Sequence, residues 1–310
     1  MTTRKLSGGE IIYSDTYLLE VSVYKDFPLI AMIALATVTL ACGLQINVPV
    51  KNINTIEPVK EKIHVDKPES SSEVTQLTFN FGLGKLNLSP GADNALVDGS
   101  AIYNIEDFKP QIHIDGSQVT IATGDLEIDG IPKFDKKQKN EWNLKLGDMP
   151  LAININAGAY QGNLEFGGLS IDSLHIVDGA SDVKVSFSEP NQIEMSEFKY
   201  ETGASEVELY GLANANFSKM SFKSGAGSYT LDFSGELLQD ADVTINSGMS
   251  TLTVVVPKGT SARVFFDSGL ANADIHGEWK MKDSGYYLVG GDSMLTININ
   301  MAAGNLILNN

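Results

Sequence analysis

The stretch ETGASEVELYGLANANF, residues 201–217, decides how this chain is read. Gly203-Ala204 marks a tight bend. Beyond it Val207 and Leu209 alternate with Glu206, Glu208 and Tyr210 at the two-residue period of a half-buried strand. Phe198 and Tyr200 alternate in the same way ahead of the bend, and Gly211 supplies a second turn. The same pattern recurs outward in both directions, at Gly158-Ala159, Gly179-Ala180, Gly225-Ala226, Gly248-Met249 and Gly269-Leu270. From Gly158 to Gly269 the successive glycines stand 21, 24, 22, 23 and 21 residues apart. GLANAN at 211–216 almost repeats as GLANAD at 269–274. A period of this size is the mark of a stacked β-repeat, in which each unit buries its apolar face on the next.

These observations predict an all-β, solenoid-like stack. Each unit reads as strand, glycine bend, strand, and then a turn such as Gly167-Gly168, Gly211 or Gly235. Glycine is expected at the bend for its access to positive φ, and the alanine after it as a small side chain facing the core. Units this short leave no room for a crossover helix, which excludes a βαβ fold. Stacked coils, nested hairpins and a two-sheet sandwich all bury alternate residues, and the even spacing favours the coils. One unit buries too little to offset the ordering of its own backbone, so it should not fold alone. The final strands, 295–308, are expected to close one end of the stack.

Alternation begins near Val74, and residues 74–150 read as an N-terminal β module with Trp142 as a core anchor, ahead of a repeat domain over 151–310. Residues 43–73, with Pro49, Pro58, Pro68 and a serine cluster, read as a tether in which 63–65 could still pair as a short strand. Before it, FPLIAMIALATVTLACGL at 27–44 is apolar and uncharged. It is read either as the end of a lipoprotein signal peptide, with Cys42 as the acylated residue, or as a retained single-pass anchor. Both place 1–42 in or through a membrane and the remainder on the extracytoplasmic face.

A formal charge of −17 excludes a phosphate-neutralising surface, so no nucleic-acid partner is expected. The sole cysteine excludes an intramolecular disulfide and a thiolate cluster. His64, His113, His175 and His276 lie far apart, with no metal-ligand spacing. Residues 124–130, GDLEIDG, come nearest to a calcium loop but lack its full ligand set. Glu206 with Glu208, and Asp240 with Asp242, share strand faces without making a glycosidase dyad. Neither a cofactor nor a catalytic residue is expected. Trp279, Tyr286 and Tyr287 flank a hairpin turn at 283–285 and are read as cross-strand packing or as an aromatic ledge for a partner.

DGASDVKVSFSEPN at 178–191, the opening stretch, and KSGAGSYTLDFSGELLQDADVTINSGMSTLTVVVPKG at 223–259 together resemble the bacterial toast-rack domain proteins, related to the C-terminal domain of LiaF-like cell-envelope regulators. The resemblance covers about 75–308 and is strongest over 150–275. It implies an all-β extracytoplasmic domain linked to envelope-stress signalling or surface attachment, and supplies no catalytic residues. The expected function is therefore a membrane-tethered scaffold that binds an envelope protein or polymer. The alternative is a carbohydrate-active or metal-dependent enzyme with acidic residues gathered in a cleft of the stack.

Overall fold

The computed structural model describes residues 50–51, 55–68, 73–124, 131–132 and 138–310, all within one compact unit, Val50–Asn310. The apolar segment 27–44 with Cys42, residues 125–130 of the calcium-loop candidate, and residues 133–137 lie outside the described residues. The elements are strands throughout, apart from two single-turn 3-10 helices at Glu106–Phe108 and Leu212–Ala215.

The frame is a run of long parallel strands. In spatial order these are β3 (Thr75–Pro90), β9 (Leu151–Glu165), β10 (Ile171–Ser186), β11 (Glu197–Tyr210), β12 (Lys219–Asp232), β13 (Ala241–Val255), β17 (Met294–Asn309) and β14 (Ser261–His276). Register is kept from strand to strand: Val183 pairs with Val207, and Val207 with Tyr229. Each apolar side chain therefore sits over its counterpart one unit away. Leu174, Ile176, Phe198, Tyr200, Phe222, Val243 and Ile245 are all fully buried in one continuous core.

At 14 to 16 residues these strands are far longer than the usual length of about 5–6. The reason is the glycine, which divides one continuous strand into two arms. Ahead of Gly203 the buried residues are Phe198, Tyr200 and Thr202, and after it Ser205, Val207 and Leu209. The inward parity thus switches at the corner. Phe222 and Tyr229, on opposite sides of Gly225 in one strand, have ring centroids 5.3 Å apart, so the arms fold toward each other. What reads in sequence as two strands per unit is one bent strand, and its neighbours are parallel because every coil turns the same way.

The corner glycines work differently from the sequence expectation. None of Gly158, Gly179, Gly203, Gly225, Gly248 and Gly269 has positive φ. They form a column with Gly82 and, on β17, Ala302, in which Gly158, Gly179, Gly203, Gly225, Gly248 and Gly269 each lie against a backbone carbonyl of the neighbouring strand. A Cβ on Gly225 would stand 2.5 Å from the Gly203 oxygen, and one on Gly248 2.6 Å from the Gly225 oxygen. Absence of a side chain, not access to left-handed backbone, is what the position demands. Positive φ is found instead at the second turn, at Gly168, Gly211 and Gly235, and two residues past the corner at Gly84, Gly227 and Gly304. The alanines after the column glycines are corrected as well: Ala159, Ala180, Ala204 and Ala226 are exposed on the outside of the corner.

GLANAN and GLANAD are not equivalent. The first forms the 3-10 turn after β11, while the second crosses the corner of β14. In the turn Asn214 donates from Nδ2 to the Phe187 carbonyl at 3.0 Å and accepts from Glu236 N–H at 2.9 Å. Asn191, one coil earlier, donates to the Ile171 and Ile193 carbonyls and accepts from the Ile171 N–H, each at 2.8 Å. These side chains satisfy backbone groups that the tight connections leave unpaired. Phe166, Phe187, Phe198 and Phe217 pack in succession behind them, at 5.9, 6.0 and 6.4 Å.

The ends also differ from expectation. β17 does not close the stack; it inserts between β13 and β14, with Leu306 and Leu308 fully buried. At the other end β3 is covered by β6 (Gln118–Thr123) on its first arm and β8 (Asn140–Leu146) on its second. β5 (Pro110–Asp115) pairs antiparallel with β6, and β4 (Ala95–Tyr103) with β8. The body starts earlier than Val74, because β2 (Val59–Asp66) pairs antiparallel with β4 and buries Ile63 and Val65. β1 (Val50–Lys51) and β7 (Ile131–Pro132) form a separate short parallel pair. Trp142 is fully buried, edge-on to Phe81 at 5.1 Å. Since β3 pairs with β9, the sheet runs without interruption across residue 150.

Candidate interaction surface

Along the corner, side chains from successive strands form rows. From β10 to β14 the residue ahead of the column position is small and polar in five of six strands: Asp178, Thr202 and Ser247 are buried, Ser224 is half-buried and Ser268 is exposed, with Met301 of β17 the exception. Beside this row runs an outward one, in which Glu201, Lys223, Asn246, Asn300 and Asp267 pair in register. Together the rows line a trough of about 740 Å³ across β11, β12, β13, β17 and β14. Five strands at a spacing of about 4.8 Å give the rows a length of roughly 19 Å.

Within the trough the side chains are ordered by their neighbours. Lys223 Nζ meets Glu201 Oε1 at 2.8 Å, Asn300 Nδ2 donates to Asn246 Oδ1 at 3.1 Å, and Ser224 donates to Ser247 Oγ at 2.8 Å. Each pair joins strands 22 residues or more apart in sequence. Charge alternates rather than accumulates, so the surface offers donors and acceptors of both kinds at a fixed interval.

Beneath the middle of the corner lies a buried hydroxyl network around Asp178. Tyr200 donates to Asp178 Oδ2 at 2.7 Å and Thr202 to Oδ1 at 2.5 Å, while Ser205 shares a hydrogen bond with Thr202 at 2.6 Å. Ser181 donates to Ser205 at 2.9 Å. Burial pushes the Tyr200 and Tyr160 hydroxyls well above their ordinary range, and the nearby Asp178 carboxylate adds to it. Both stay protonated, and Tyr200 serves as a fixed donor to the carboxylate. The network ties β10 to β11 in the place where the column glycines supply no side-chain packing.

The other residues singled out in the sequence are dispersed. Tyr286 and Tyr287 lie on β16 (Gly285–Leu288), which pairs antiparallel with both β14 and β15 (Lys280–Lys282). Tyr287 packs edge-on against Phe265 at 6.2 Å, and half-buried Trp279 and Tyr286 rest on the core. His64 pairs with Asp98 at 2.7 Å and Asp66 at 3.2 Å on β2, and His175 lies 3.5 Å from Glu197. His113 and His276 sit on other strands. Among the described residues no three His, Cys, Asp or Glu side chains gather as metal ligands. Sequence reasoning missed the trough and the hydroxyl network. Their signal was legible as the recurrence DGAS, TGAS and SGMS at 178–181, 202–205 and 247–250.

Fold and surface together define a stacked-repeat β body with in-register rows of side chains along its corner. The chain belongs to the family described as the N-terminal domain of toast_rack, DUF2154, whose model matches residues 54–197 and again 190–255. No curated protein matches it. Solved structures similar to it include a candidate cell-adhesion protein of Clostridium sporogenes ATCC 15579, 21% identical over 82% of this chain and 99% of that one, with a TM-score of 0.45. A candidate adhesin of Bacteroides fragilis NCTC 9343 is 10% identical over 82% and 97%, with a TM-score of 0.34. A candidate lipid-binding protein of Parabacteroides distasonis ATCC 8503 is 10% identical over 83% and 99%, with a TM-score of 0.31.

Proposed function

We propose that this protein is a non-catalytic scaffold tethered to a membrane through residues 1–42, with its β body on the extracytoplasmic face, and that it holds an elongated envelope polymer along the trough at its corner. The observation that carries this reading is the pair of in-register rows across five strands. A regular polymer repeats its hydroxyl and amide groups, and a row of Glu, Lys, Asn, Asn and Asp side chains at strand spacing presents matching partners along its length. Hydrogen-bonded neighbours hold these side chains in place, which lowers the entropy cost of binding. A LiaF-like contribution to envelope sensing would use the same surface, with occupancy of the trough as the signal. In this reading Cys42 carries the lipid, or 27–44 stays as an anchor.

The test is co-sedimentation of the purified protein with insoluble cell-wall sacculi, comparing wild type with Lys223→Ala/Asn246→Ala/Asn300→Ala. The native chain should pellet and the triple variant, equally folded by circular dichroism, should stay in solution. Wild type remaining in the supernatant, or a variant that pellets equally well, removes the trough from the account. Intact mass of the membrane-extracted protein tests the tether separately: an acylated chain beginning at Cys42 is the lipoprotein form, and retention of residues 1–41 is the anchored form. A soluble chain lacking both would refute the membrane assignment.

A further inference from the structure

Among the described residues, seven of the eight long strands have both arms paired on both sides. β14 is the exception. On its inner side β17 pairs with it from Ser261 to His276, but on its outer side β16 covers only Ala262–Phe265. Among the described residues no strand pairs with the outer edge of its second arm, residues 271–276; the Ser268 hydroxyl donates to the Ala271 carbonyl at 3.2 Å, and the backbone groups beyond it along that edge have no strand partner.

The core ends abruptly at this arm. On β17 Leu306 and Leu308 are fully buried, whereas their register partners Ala273 and Ile275 on β14 are half-buried, and Leu270 at the corner is 85% exposed. Protection of the neighbouring edge sharpens the contrast. β15, outermost beside the first arm, carries Lys280 and Lys282 around exposed Met281, the usual guard against strand pairing. Between Asp267 and Trp279 there is no Lys, Arg or Pro.

We infer that residues 271–276 of β14 dock against the same arm of a second copy of this chain, pairing antiparallel about a two-fold axis at Ala273. The arm's own sequence selects this occupant and this register. Core-facing residues must oppose core-facing residues, so the axis has to pass through a residue. An axis at Asp274 would set two carboxylates directly opposite each other. Moved to Ala273, it places Ala271 over the partner's Ile275 and Asn272 beside the partner's Asp274. That aspartate already accepts from Asn305 at 3.1 Å and keeps lone pairs for a second amide. The arrangement is isologous, so the one strand supplies both halves of the contact. Because each chain carries −17 formal charges, association should strengthen as salt rises and screens the mutual repulsion. This inference stands on the free edge and does not depend on the trough.

Disulfide trapping of the full chain in detergent, with Cys42 replaced by Ser, tests it. Ala273→Cys should give a majority of disulfide-linked dimer on mild oxidation, because an axial residue meets its own copy. Met281→Cys, more open to solvent than Ala273 but on the guarded edge, should remain monomeric. Sedimentation equilibrium supplies the second measurement. Asn272→Asp at this exposed position brings like charges together twice and should weaken dimerisation by about 2- to 30-fold. Equal trapping at both cysteines, no trapping at Ala273→Cys, or dimerisation unaffected by Asn272→Asp would each overturn the proposal.

Discussion

Gly225→Ala tests the central structural claim, that the column glycines are required by close backbone approach. A Cβ at this position would lie 2.5 Å from the Gly203 oxygen and 3.3 Å from its carbonyl carbon, where real Cβ contacts essentially never fall below 3.0 Å. The obstacle is backbone within a parallel sheet, so the whole neighbouring corner must retreat by about half an ångström, at an overpacking cost of about 1–3 kcal/mol. Against this stands a gain of about 0.4–1 kcal/mol from the stiffer unfolded chain. φ contributes no strain, because it is not in the left-handed region. The net destabilisation is therefore about 1–2 kcal/mol, equivalent to a Tm lower by roughly 2–8 °C in a body of this size. Gly269→Ala is the matched control, with its Cβ 3.0 Å from the Ala302 oxygen on the end strand. It should be neutral or slightly stabilising. Urea denaturation followed by circular dichroism reads both. A Gly225→Ala protein as stable as wild type, or a Gly269→Ala loss of equal size, would show that the column does not act by close approach.

Asn214→Ala removes two hydrogen bonds to the connecting turns and should cost about 1–3 kcal/mol in thermal unfolding, because the Phe187 carbonyl and the Glu236 N–H lose their partner. Tyr200→Phe leaves the buried Asp178 carboxylate without one of its donors and should cost a similar amount, with the fold retained in the far-ultraviolet spectrum. Glu165 gives a pH signature: burial pushes its carboxyl up, but hydrogen bonds from Ser186, Ser188 and the Gly167 N–H outweigh it and hold the group below its ordinary value. Its stabilisation should be complete above the unfolded value near 4.3 and should fade as pH drops through the lower folded value. Glu165→Gln should therefore be less stable than wild type at neutral pH, with the difference closing in acid; a constant difference across the titration would refute this role.

Strand alternation was legible residue by residue, since Val183, Val207 and Leu231 face the core as their spacing requires. The glycine period likewise located every corner from Gly158 to Gly269. The reason for those glycines was not legible, because positive φ and close approach leave the same letter in the sequence, and only the neighbouring carbonyl distinguishes them. GLANAN and GLANAD show the same limit from the other side: near-identical strings take different conformations when one crosses a sheet and the other turns between coils. Trough and hydroxyl network left a faint trace, the small polar residue ahead of every corner glycine from Gly179 to Gly269. Nothing local, however, announces that Asn246 and Asn300 pair across 54 residues.

By itself the sequence determined the all-β class, the repeat length and the inward-facing set, since a two-residue period and a recurrent glycine constrain backbone locally. Only the tertiary structure decided that β17 threads between β13 and β14, that the arms belong to one bent strand, and that β14 keeps an open edge. Those features depend on which strands pair. Pairing is selected by the summed burial and hydrogen bonding of whole neighbouring coils, and no single stretch of chain contains that sum.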